Sequence, residues 1–230
     1  MATVIAIAQN KGGAGKTSLT VHLACAFGGR RTEDTEARKR VALVDLDPLM
    51  SLTKWYHLRE QRIGPDAKLS IFTATGWRAQ AEIENAKRDS EIGLIDAPPQ
   101  DEMILRRAVR AARIAVVPMQ LSPMDLWATW PTLELITNEK KNAMIVLNRV
   151  PPRARVADSL VAEMTKAGLP LSRASLGNRT AFVASMIDGK GVTEADPRSA
   201  AATEIRLLAD EVLRRSIEGA RKAGAMATAA

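Results

Sequence analysis

The chain alternates short, continuously apolar runs with longer stretches in which apolar residues recur at helical spacing. Continuous apolar runs bounded by turns are typical of strands that are buried on both faces of a parallel sheet. We predict strands at residues 3–8, 41–45, 69–73, 92–96, 114–118 and 143–148, and a weaker one at 171–175. We predict helices at residues 16–28, 51–61, 77–89, 101–112, 124–139, 155–167, 179–188 and 200–222. This alternation predicts an α/β fold: a doubly wound, mostly parallel sheet with helices on both faces.

Two segments fall outside the alternation. Residues 28–40 are polar and charged without an apolar face, which predicts a surface loop or an extension of the first helix. Residues 223–230 are mostly alanine and glycine at the chain end, which predicts a frayed tail. The length of 230 residues fits one large α/β domain, which we expect at residues 1–222.

Composition narrows the class of protein. Hydrophobic residues make up 46% and charged residues 26%, as expected for a globular protein with a substantial core. No apolar run approaches the roughly 18 residues that cross a bilayer, and the first residues do not resemble a secretory signal. Cys25 is the only cysteine, which excludes an internal disulfide and a metal site built on several thiolates. We therefore expect a cytoplasmic protein without stable membrane insertion.

The net charge of +7 favours polyanionic partners such as nucleic acid or acidic lipid. The charge is spread along the chain, so folding must assemble any basic patch.

A glycine-rich loop with two lysines lies between the first predicted strand and the first predicted helix. Glycines let backbone N–H groups turn around phosphate oxygens, and the start of a helix favours anions. In such a loop Lys16 supplies charge to the β- and γ-phosphates and the Thr17 hydroxyl can bind Mg²⁺. Asn10 stands where the strict pattern has its first glycine, and Lys11 is an additional lysine. The predicted phosphate-binding residues are Lys11, Gly12, Gly13, Ala14, Gly15, Lys16, Thr17 and Ser18.

Aspartates end two further predicted strands. Asp45 and Asp47 lie in the sequence Asp-Leu-Asp-Pro, and Asp96 is followed by Ala-Pro-Pro. Because the carboxyl ends of parallel strands converge on one crevice, these residues are expected near the glycine-rich loop. An Asp that ends a strand also commonly caps the next segment, and this alternative applies to Asp47.

The leading lysine of the KGGAGKT loop, followed in order by these two acidic segments, resembles the deviant Walker A ATPases of the ParA/MinD family. The similarity runs from residue 4 to about residue 212 and includes Ser122-Pro-Met-Asp125 and the stretch 178–192. It is similar in particular to the short, ParF-like partition proteins. Two features depart from that pattern: Leu49 replaces the glutamine usual after Asp-Pro, and residues 28–40 exceed the usual connection.

The resemblance implies ATP and Mg²⁺ as cofactors and an ATP-bound homodimer. Lys11 would reach the phosphates of the partner subunit, Lys16 its own phosphates, and Asp47 would orient the attacking water. Thr17, Asp45 and Asp96 would hold Mg²⁺ directly or through water. Asn148, which follows a predicted strand, would contact adenine, although an Asn at this position is also a common turn residue.

The resemblance further implies a slow ATPase that binds DNA without reading its sequence and associates with the nucleoid in the ATP state. A separate adaptor protein on the cargo would stimulate hydrolysis, and the cargo would be a plasmid, a chromosome region or a protein cluster. The candidate DNA-binding residues are Arg173, Arg179, Lys190, Arg206, Arg214 and Arg215. Two alternatives stay open: a MinD-like membrane-associated ATPase, disfavoured by a C-terminus without large apolar residues, and a small-molecule ligase of the same fold.

Overall fold

The structure, a computed structural model, describes the backbone of residues 2–29, 31–32, 35–152 and 155–228 and the side chains of 2–29, 39–152 and 158–218. The strands are β1 (Thr3–Ile7), β2 (Arg31–Thr32), β3 (Thr35–Arg38), β4 (Val41–Asp45), β5 (Leu69–Thr73), β6 (Ile92–Asp96), β7 (Ile114–Met119) and β8 (Asn142–Leu147). The helices are α1 (Lys16–Gly28), α2 (Ser51–Ile63), α3 (Ala79–Asp89), α4 (Glu102–Ala111), α5 (Pro123–Asn138), α6 (Arg155–Lys166), α7 (Thr180–Ile187), α8 (Val192–Ala195) and α9 (Ala200–Thr228). A single 3₁₀ turn, Gly76–Arg78, precedes α3.

Six of these strands form one parallel sheet in the order β5-β4-β6-β1-β7-β8. The central strand β1 therefore has β6 on one side and β7 on the other. In this register Asp96 lies beside Ile7 of β1 and beside Asp45 of β4. The carboxyl ends of β1, β4 and β6 consequently meet at one edge of the sheet, as the sequence predicts.

Helices cover both faces of the sheet, because side chains alternate along every strand. Ile5 and Ile7 of β1 belong to one buried apolar cluster, which is completed by residues of α1, α2 and α9. Val4 and Ala6 belong to a second cluster on the opposite face, with residues of α3, α4, α5 and α6. The predicted doubly wound α/β fold is thus confirmed.

The predicted strand at residues 171–175 is wrong. Leu171 forms an isolated bridge with Ile145 of β8, and the backbone hydrogen-bonds to β8 again only at Leu176, whose N–H donates to the carbonyl oxygen of Leu147. The buried carboxylate of Glu211, in α9, accepts the backbone N–H groups of Arg173 and Ala174 that a strand neighbour would otherwise bind. A side chain on a distant helix therefore replaces the ladder hydrogen bonds at this point.

The interpretation of residues 28–40 as a loop or helix extension is also wrong, since β2 and β3 within it form a short antiparallel pair. Residues 30, 33 and 34 of this segment lie outside the described residues. The last helix passes its predicted end at residue 222 and continues to Thr228, so helix occupies most of the predicted frayed tail; residues 229 and 230 are not described. Within the described ranges, no helix combines the length and apolarity needed to traverse a bilayer.

Candidate nucleotide-binding site

The phosphate loop connects the end of β1 to the start of α1. Gly13 and Gly15 have φ angles of +76° and +94°, in the left-handed region that glycine adopts without strain. Gly15 caps α1, and neither a side-chain cap nor an acidic residue satisfies the first turn of that helix. The free N–H groups and the positive end of the helix dipole therefore remain available to an anion.

Two amide side chains orient the peptide groups of this loop. Gln120 Nε2 donates to the carbonyl oxygen of Gly13 at 3.3 Å, and Asn148 Nδ2 donates to that of Ala14 at 2.8 Å. Asn148 also approaches Gly15 so closely that a Cβ atom there would lie 2.4 Å from its Nδ2. Asn148 thus holds the loop from the rim of a cleft that Ser18 and Phe182 also line. Its predicted contact with adenine stays a prediction.

Lys16 is the lysine that lies within the loop. Its side chain is buried, and its Nζ donates to the carbonyl oxygen of Lys11 at 3.4 Å. Burial lowers the pKa of Lys16, while the nearby carboxylates of Asp96 and Asp47 oppose that change. A partly desolvated cation next to the free N–H groups at the start of α1 matches the charge of a nucleotide phosphate.

The Thr17 hydroxyl and Asp96 form the part of the site that fits a divalent cation. Thr17 Oγ1 donates to Asp96 Oδ2 at 2.6 Å, whereas Asp96 Oδ1 is buried without a hydrogen-bond partner. Burial raises the pKa of Asp96 to about 7, and the charge of Asp45 adds to this effect against the Thr17 hydrogen bond. An orphaned carboxylate oxygen beside a hydroxyl is the donor set that Mg²⁺ accepts when phosphate and water complete its shell. Among the described residues, no group of three or more His, Cys, Asp or Glu could hold a metal alone.

Asp45 is fully hydrogen-bonded by the chain itself. Its Oδ1 accepts the N–H of Asp47 at 3.2 Å, and its Oδ2 accepts the N–H and the hydroxyl of Thr53 at 2.9 and 2.8 Å. Asp45 therefore positions Asp47 and the start of α2. Asp47 Oδ1 in turn accepts the N–H of Leu49 at 2.9 Å, as the capping alternative expects. The predicted roles of Asp45 with the metal and of Asp47 with water stay predictions.

Lys11 has a different surrounding from Lys16. Its Nζ donates to Asp125 Oδ1 at 2.7 Å, and its side chain remains 39% exposed against 9% for Asp125. Asp125 lies in the first turn of α5, which Ser122 caps by accepting the N–H of Asp125. The sequence interpretation missed this pair. The Ser-x-x-Asp spacing marks a helix start, but it does not indicate a partner 114 positions away.

The start of the phosphate loop is attached to the same helix by a second set of contacts. The buried Gln9 donates from Nε2 to Thr129 Oγ1 at 2.9 Å, and its Oε1 accepts the hydroxyl of Thr132 at 3.1 Å. The N–H of Asn10 also donates to Thr132 Oγ1 at 3.1 Å. Sequence reasoning missed this network too, because threonines on a helix carry no signal of their own. As a result, α5 and the first residues of the loop form one connected unit.

The six basic residues predicted to bind DNA do not form a single patch. Arg179 lines the cleft beside Gly15, and Glu204 accepts hydrogen bonds from its Nε and Nη2 at 3.0 and 2.7 Å. Arg173, Arg214 and Arg215 share another cavity with Ile114 and Asn142, at the amino edge of the sheet. Arg206 lines a third cavity and donates to the carbonyl oxygen of Pro197, and Lys190 is half-buried.

Comparisons with known proteins identify the family. The model of the CobQ/CobB/MinD/ParA nucleotide binding domain matches residues 5–192. Maintenance of carboxysome distribution protein A of Halothiobacillus neapolitanus is 26% identical over 219 residues, which cover 92% of this chain and 97% of that relative. The chromosome-partitioning ATPase Soj of Thermus thermophilus is 27% identical over an alignment that covers 92% of this chain and 95% of that relative. The solved structure of the septum site-determining protein MinD with Mg-ADP from Pyrococcus horikoshii shares the fold, with a TM-score of 0.71 at 19% identity over 92% of this chain and 96% of that one. The chain belongs to the CobQ/CobB/MinD/ParA family of nucleotide-binding domains.

Proposed function

We propose that this protein is an ATP-dependent dimerising switch that binds DNA without sequence preference in its ATP form. Slow, partner-stimulated ATP hydrolysis would release it and so segregate or position a cargo. The relatives named above act in carboxysome distribution, chromosome partitioning and septum placement, all of which position something within a cell. This agreement among relatives supports a positioning role.

The proposal rests mainly on the different positions of the two lysines of the loop, one buried within the site and one partly exposed at its edge. Lys16 is buried beside Asp96 and Asp47, where a nucleotide of the same chain would lie. Lys11 instead pairs with the buried carboxylate of Asp125, and its own side chain remains partly exposed. A lysine at the rim of the site can exchange its carboxylate partner for a phosphate on a second copy of the chain. Nucleotide binding and dimer formation then become a single event.

ATP and Mg²⁺ are the cofactors of this switch. The N–H groups of residues 12–18 and the Lys16 ammonium bind the phosphates, and Thr17 with Asp96 would hold Mg²⁺. When bound, Mg²⁺ supplies positive charge against the charge that develops on the phosphate oxygens. Asp47, whose N–H donates to Asp45, would accept a hydrogen bond from a water molecule and orient that water toward the terminal phosphate. Slow hydrolysis suits such a switch, because the ATP-bound dimer must persist long enough to be used.

The ATP dimer differs from the monomer in the partner of Lys11. In the monomer the ammonium is neutralised by Asp125, and in the dimer it is neutralised by the γ-phosphate of the facing subunit. A nucleotide shifts the equilibrium only by its differential contacts with the two states. Hydrolysis of ATP by water would leave ADP, which lacks the γ-phosphate, and departure of the free phosphate would return Lys11 to Asp125 and separate the subunits.

For DNA binding we favour the arginines at the amino edge of the sheet, Arg173, Arg214 and Arg215, which lie together around one cavity. Arg214 pairs with Glu218 and Arg215 with Glu211, as Arg179 does with Glu204, so each of them must leave an ion pair before it can contact a phosphate. Phosphate contacts from arginine need no base readout and weaken steeply with salt. Doubling this patch in a dimer raises the affinity for a polyanion without new contacts within one subunit.

The experiment is co-sedimentation with random-sequence DNA in the presence of ATP, ADP or no nucleotide, at two salt concentrations. We expect retention only with ATP at low salt, and its loss in Lys16→Ala and Lys11→Ala. The double variant Arg173→Glu/Arg214→Glu should lose DNA and still dimerise, whereas the matched variant Arg88→Glu, an exposed arginine on α3, should bind normally.

Retention that ignores the nucleotide, or that survives in Lys16→Ala, would contradict the switch. Parallel sedimentation with anionic liposomes tests the membrane alternative, and ATP-dependent recovery with liposomes but not with DNA would favour it.

A further inference from the structure

Trp77 is a large aromatic side chain in an unusual position, because 77% of it is exposed. It lies in the 3₁₀ turn Gly76–Arg78 that follows β5. Met103, in the first turn of α4, is likewise 65% exposed. Single exposed apolar residues are common on protein surfaces, but two large ones on segments that one side chain ties together call for an explanation.

Arginine side chains join these two residues into one surface. The guanidinium of Arg107, in α4, donates to the carbonyl oxygen of Gly76 at 3.2 Å and contacts Met103 Sδ at 3.7 Å. The guanidinium of Arg78 stacks over the Trp77 ring, 5.3 Å from its centroid. We call Trp77, Arg78, Met103 and Arg107 the Trp77 surface. Arg107 fixes the turn to α4, so the surface has a defined shape before any partner binds.

The charges of this surface are not balanced within the described part of the chain. Neither Arg78 nor Arg107 forms an ion pair with a carboxylate there, and their hydrogen bonds and ring contact involve only neutral groups. The neighbouring arginines of α4 differ, because Glu102 and Glu139 pair with Arg106, and Glu139 also pairs with Arg110. The Trp77 surface therefore consists of an apolar centre flanked by two cations that have no carboxylate partner among the side chains that the structure describes.

We propose that the Trp77 surface docks an acidic segment of a partner protein in which carboxylates flank one large apolar side chain. The apolar side chain would cover Trp77 and Met103, and the carboxylates would pair with Arg78 and Arg107. Tryptophan and arginine are the residue types that most often dominate binding energy at protein interfaces. Complementary charge around an apolar anchor also gives specificity and a fast encounter.

Single-stranded nucleic acid is the other ligand that combines stacking with negative charge, and the surface fits it less well. Arg78 already covers one face of the Trp77 ring, which leaves a base only the other face. A short acidic peptide needs only the local pair of arginines.

This docking goes beyond the proposed switch, since none of the four residues belongs to the phosphate loop and binding requires no nucleotide. The Trp77 surface nonetheless lies on the two segments that follow the strands β5 and β6, near the predicted nucleotide site. The turn of Trp77 follows β5, where Ala74 donates its N–H to the carbonyl oxygen of Asp45. Met103 lies on the helix that follows Asp96 and its Ala-Pro-Pro turn. A partner on the Trp77 surface would thus lie close to both acidic segments.

The experiment uses an array of random seven-residue peptides probed with labelled full-length protein in the absence of nucleotide. We expect the bound peptides to share Asp or Glu on both sides of Trp, Phe, Leu or Met. The consensus peptide is then titrated by fluorescence anisotropy against the wild type, Trp77→Ala and Arg78→Glu/Arg107→Glu. Each variant should weaken binding by about tenfold or more, as expected for loss of a central interface residue. Trp127→Ala, which removes a tryptophan that is 63% exposed on α5, is the matched control and should bind normally.

Two results would overturn the proposal: an array without an acidic and apolar consensus, or a consensus peptide that binds Trp77→Ala as tightly as the wild type. An oligothymidylate that binds the wild type and loses affinity in Trp77→Ala, when no peptide does so, would instead assign the surface to nucleic acid. Far-ultraviolet circular dichroism of each variant checks that the fold is intact. Because nucleotide is absent throughout, failure here leaves the switch untouched, and failure of the DNA experiment leaves this surface untouched.

Discussion

At the scale of single residues, His22 connects the helix of the phosphate loop to a distant part of the chain. Its Nδ1 accepts the N–H of Val192 at 3.3 Å, so its Nε2 carries the proton and donates to the carbonyl oxygen of Phe182 at 3.1 Å. The bond from Val192 requires the neutral imidazole, because a protonated Nδ1 cannot accept it. Burial lowers the pKa of His22 to about 4, against the opposing effects of the Phe182 carbonyl and of Glu194.

This arrangement predicts a pH-dependent stability. The unfolded chain takes up a proton at His22 near pH 6.5 and the folded chain only near pH 4, so the unfolded state binds more protons in between. The free energy of unfolding should therefore decrease as the pH falls through that window, by about 3 kcal/mol at most. This is measured by urea denaturation of the wild type and His22→Asn from pH 4 to pH 7.5. The difference in unfolding free energy between the two proteins should become smaller as the pH falls. A constant difference would contradict the assignment, and His57→Asn, with a 59% exposed side chain, is the control.

At the scale of elements, the segment between α7 and α8 packs tightly on α1 and α2. A Cβ atom on Gly191 would lie 2.6 Å from Cys25 Cβ, and one on Gly189 would lie 2.6 Å from Arg59 Cα. Arg59 also donates to the carbonyl oxygen of Gly189 at 2.9 Å and to both carboxylate oxygens of Glu194 at 2.8 Å. The two glycines thus allow backbone contact where any side chain would separate the elements.

Two glycines with nearly the same φ angle allow the cost of the close packing to be measured apart from the cost of the left-handed backbone conformation. Gly189 and Gly168 have φ angles of +68° and +70°, but only Gly189 faces another backbone. Gly168→Ala should cost about 1 kcal/mol of unfolding free energy for the left-handed conformation alone. Gly189→Ala should cost about 3 kcal/mol or more, because it adds a clash with Arg59 that the helix must move to relieve. Equal losses in chemical denaturation would show that the close approach is unimportant.

Strands, helices and loops could be predicted from the sequence wherever a pattern within a few neighbouring residues determines them. The six buried strands and the phosphate loop follow from apolar runs and from glycine and lysine spacing within a few residues. The strand predicted at 171–175 has the same apolar pattern, but Glu211 supplies its hydrogen bonds from α9, which no local pattern reveals. The contact between Lys11 and Asp125 was missed for the same reason, since only the assembled sheet brings β1 next to β7 and α5. The ion pair of Arg179 with Glu204 likewise depends on packing between distant segments, whereas that of Arg214 with Glu218 follows from the i,i+4 spacing within α9.

At the scale of the whole molecule, the pair between Lys11 and Asp125 makes a prediction about association. Asp125→Asn keeps the size of the side chain and removes the charge that holds Lys11. Within the proposed switch, the freed lysine should strengthen ATP-dependent dimerisation by a few-fold, since a partly exposed ion pair is worth about 1 kcal/mol or less. Analytical ultracentrifugation with ATP and with ADP measures the dimer constant.

The control for this change is Ser122→Ala, which removes the cap of α5 and the Ser122 hydrogen bond to Asp125 Oδ2 but keeps the negative charge of Asp125. A dimer constant that is unchanged in Asp125→Asn, or that changes equally in Ser122→Ala, would assign Asp125 to the helix cap alone.

The Lys11–Asp125 contact also affects how the protein behaves in a crowded population of its own copies. In a subunit without ATP, the Lys11 ammonium is already paired with the Asp125 carboxylate. Any other anion must therefore compete with Asp125 before it can bind Lys11. Stray phosphates, acidic proteins and subunits that carry spent nucleotide must all displace that carboxylate before they can hold the lysine. Within the proposed switch, the resting state is therefore defined by a contact of its own, and accidental pairing stays rare even where many copies gather on one stretch of DNA.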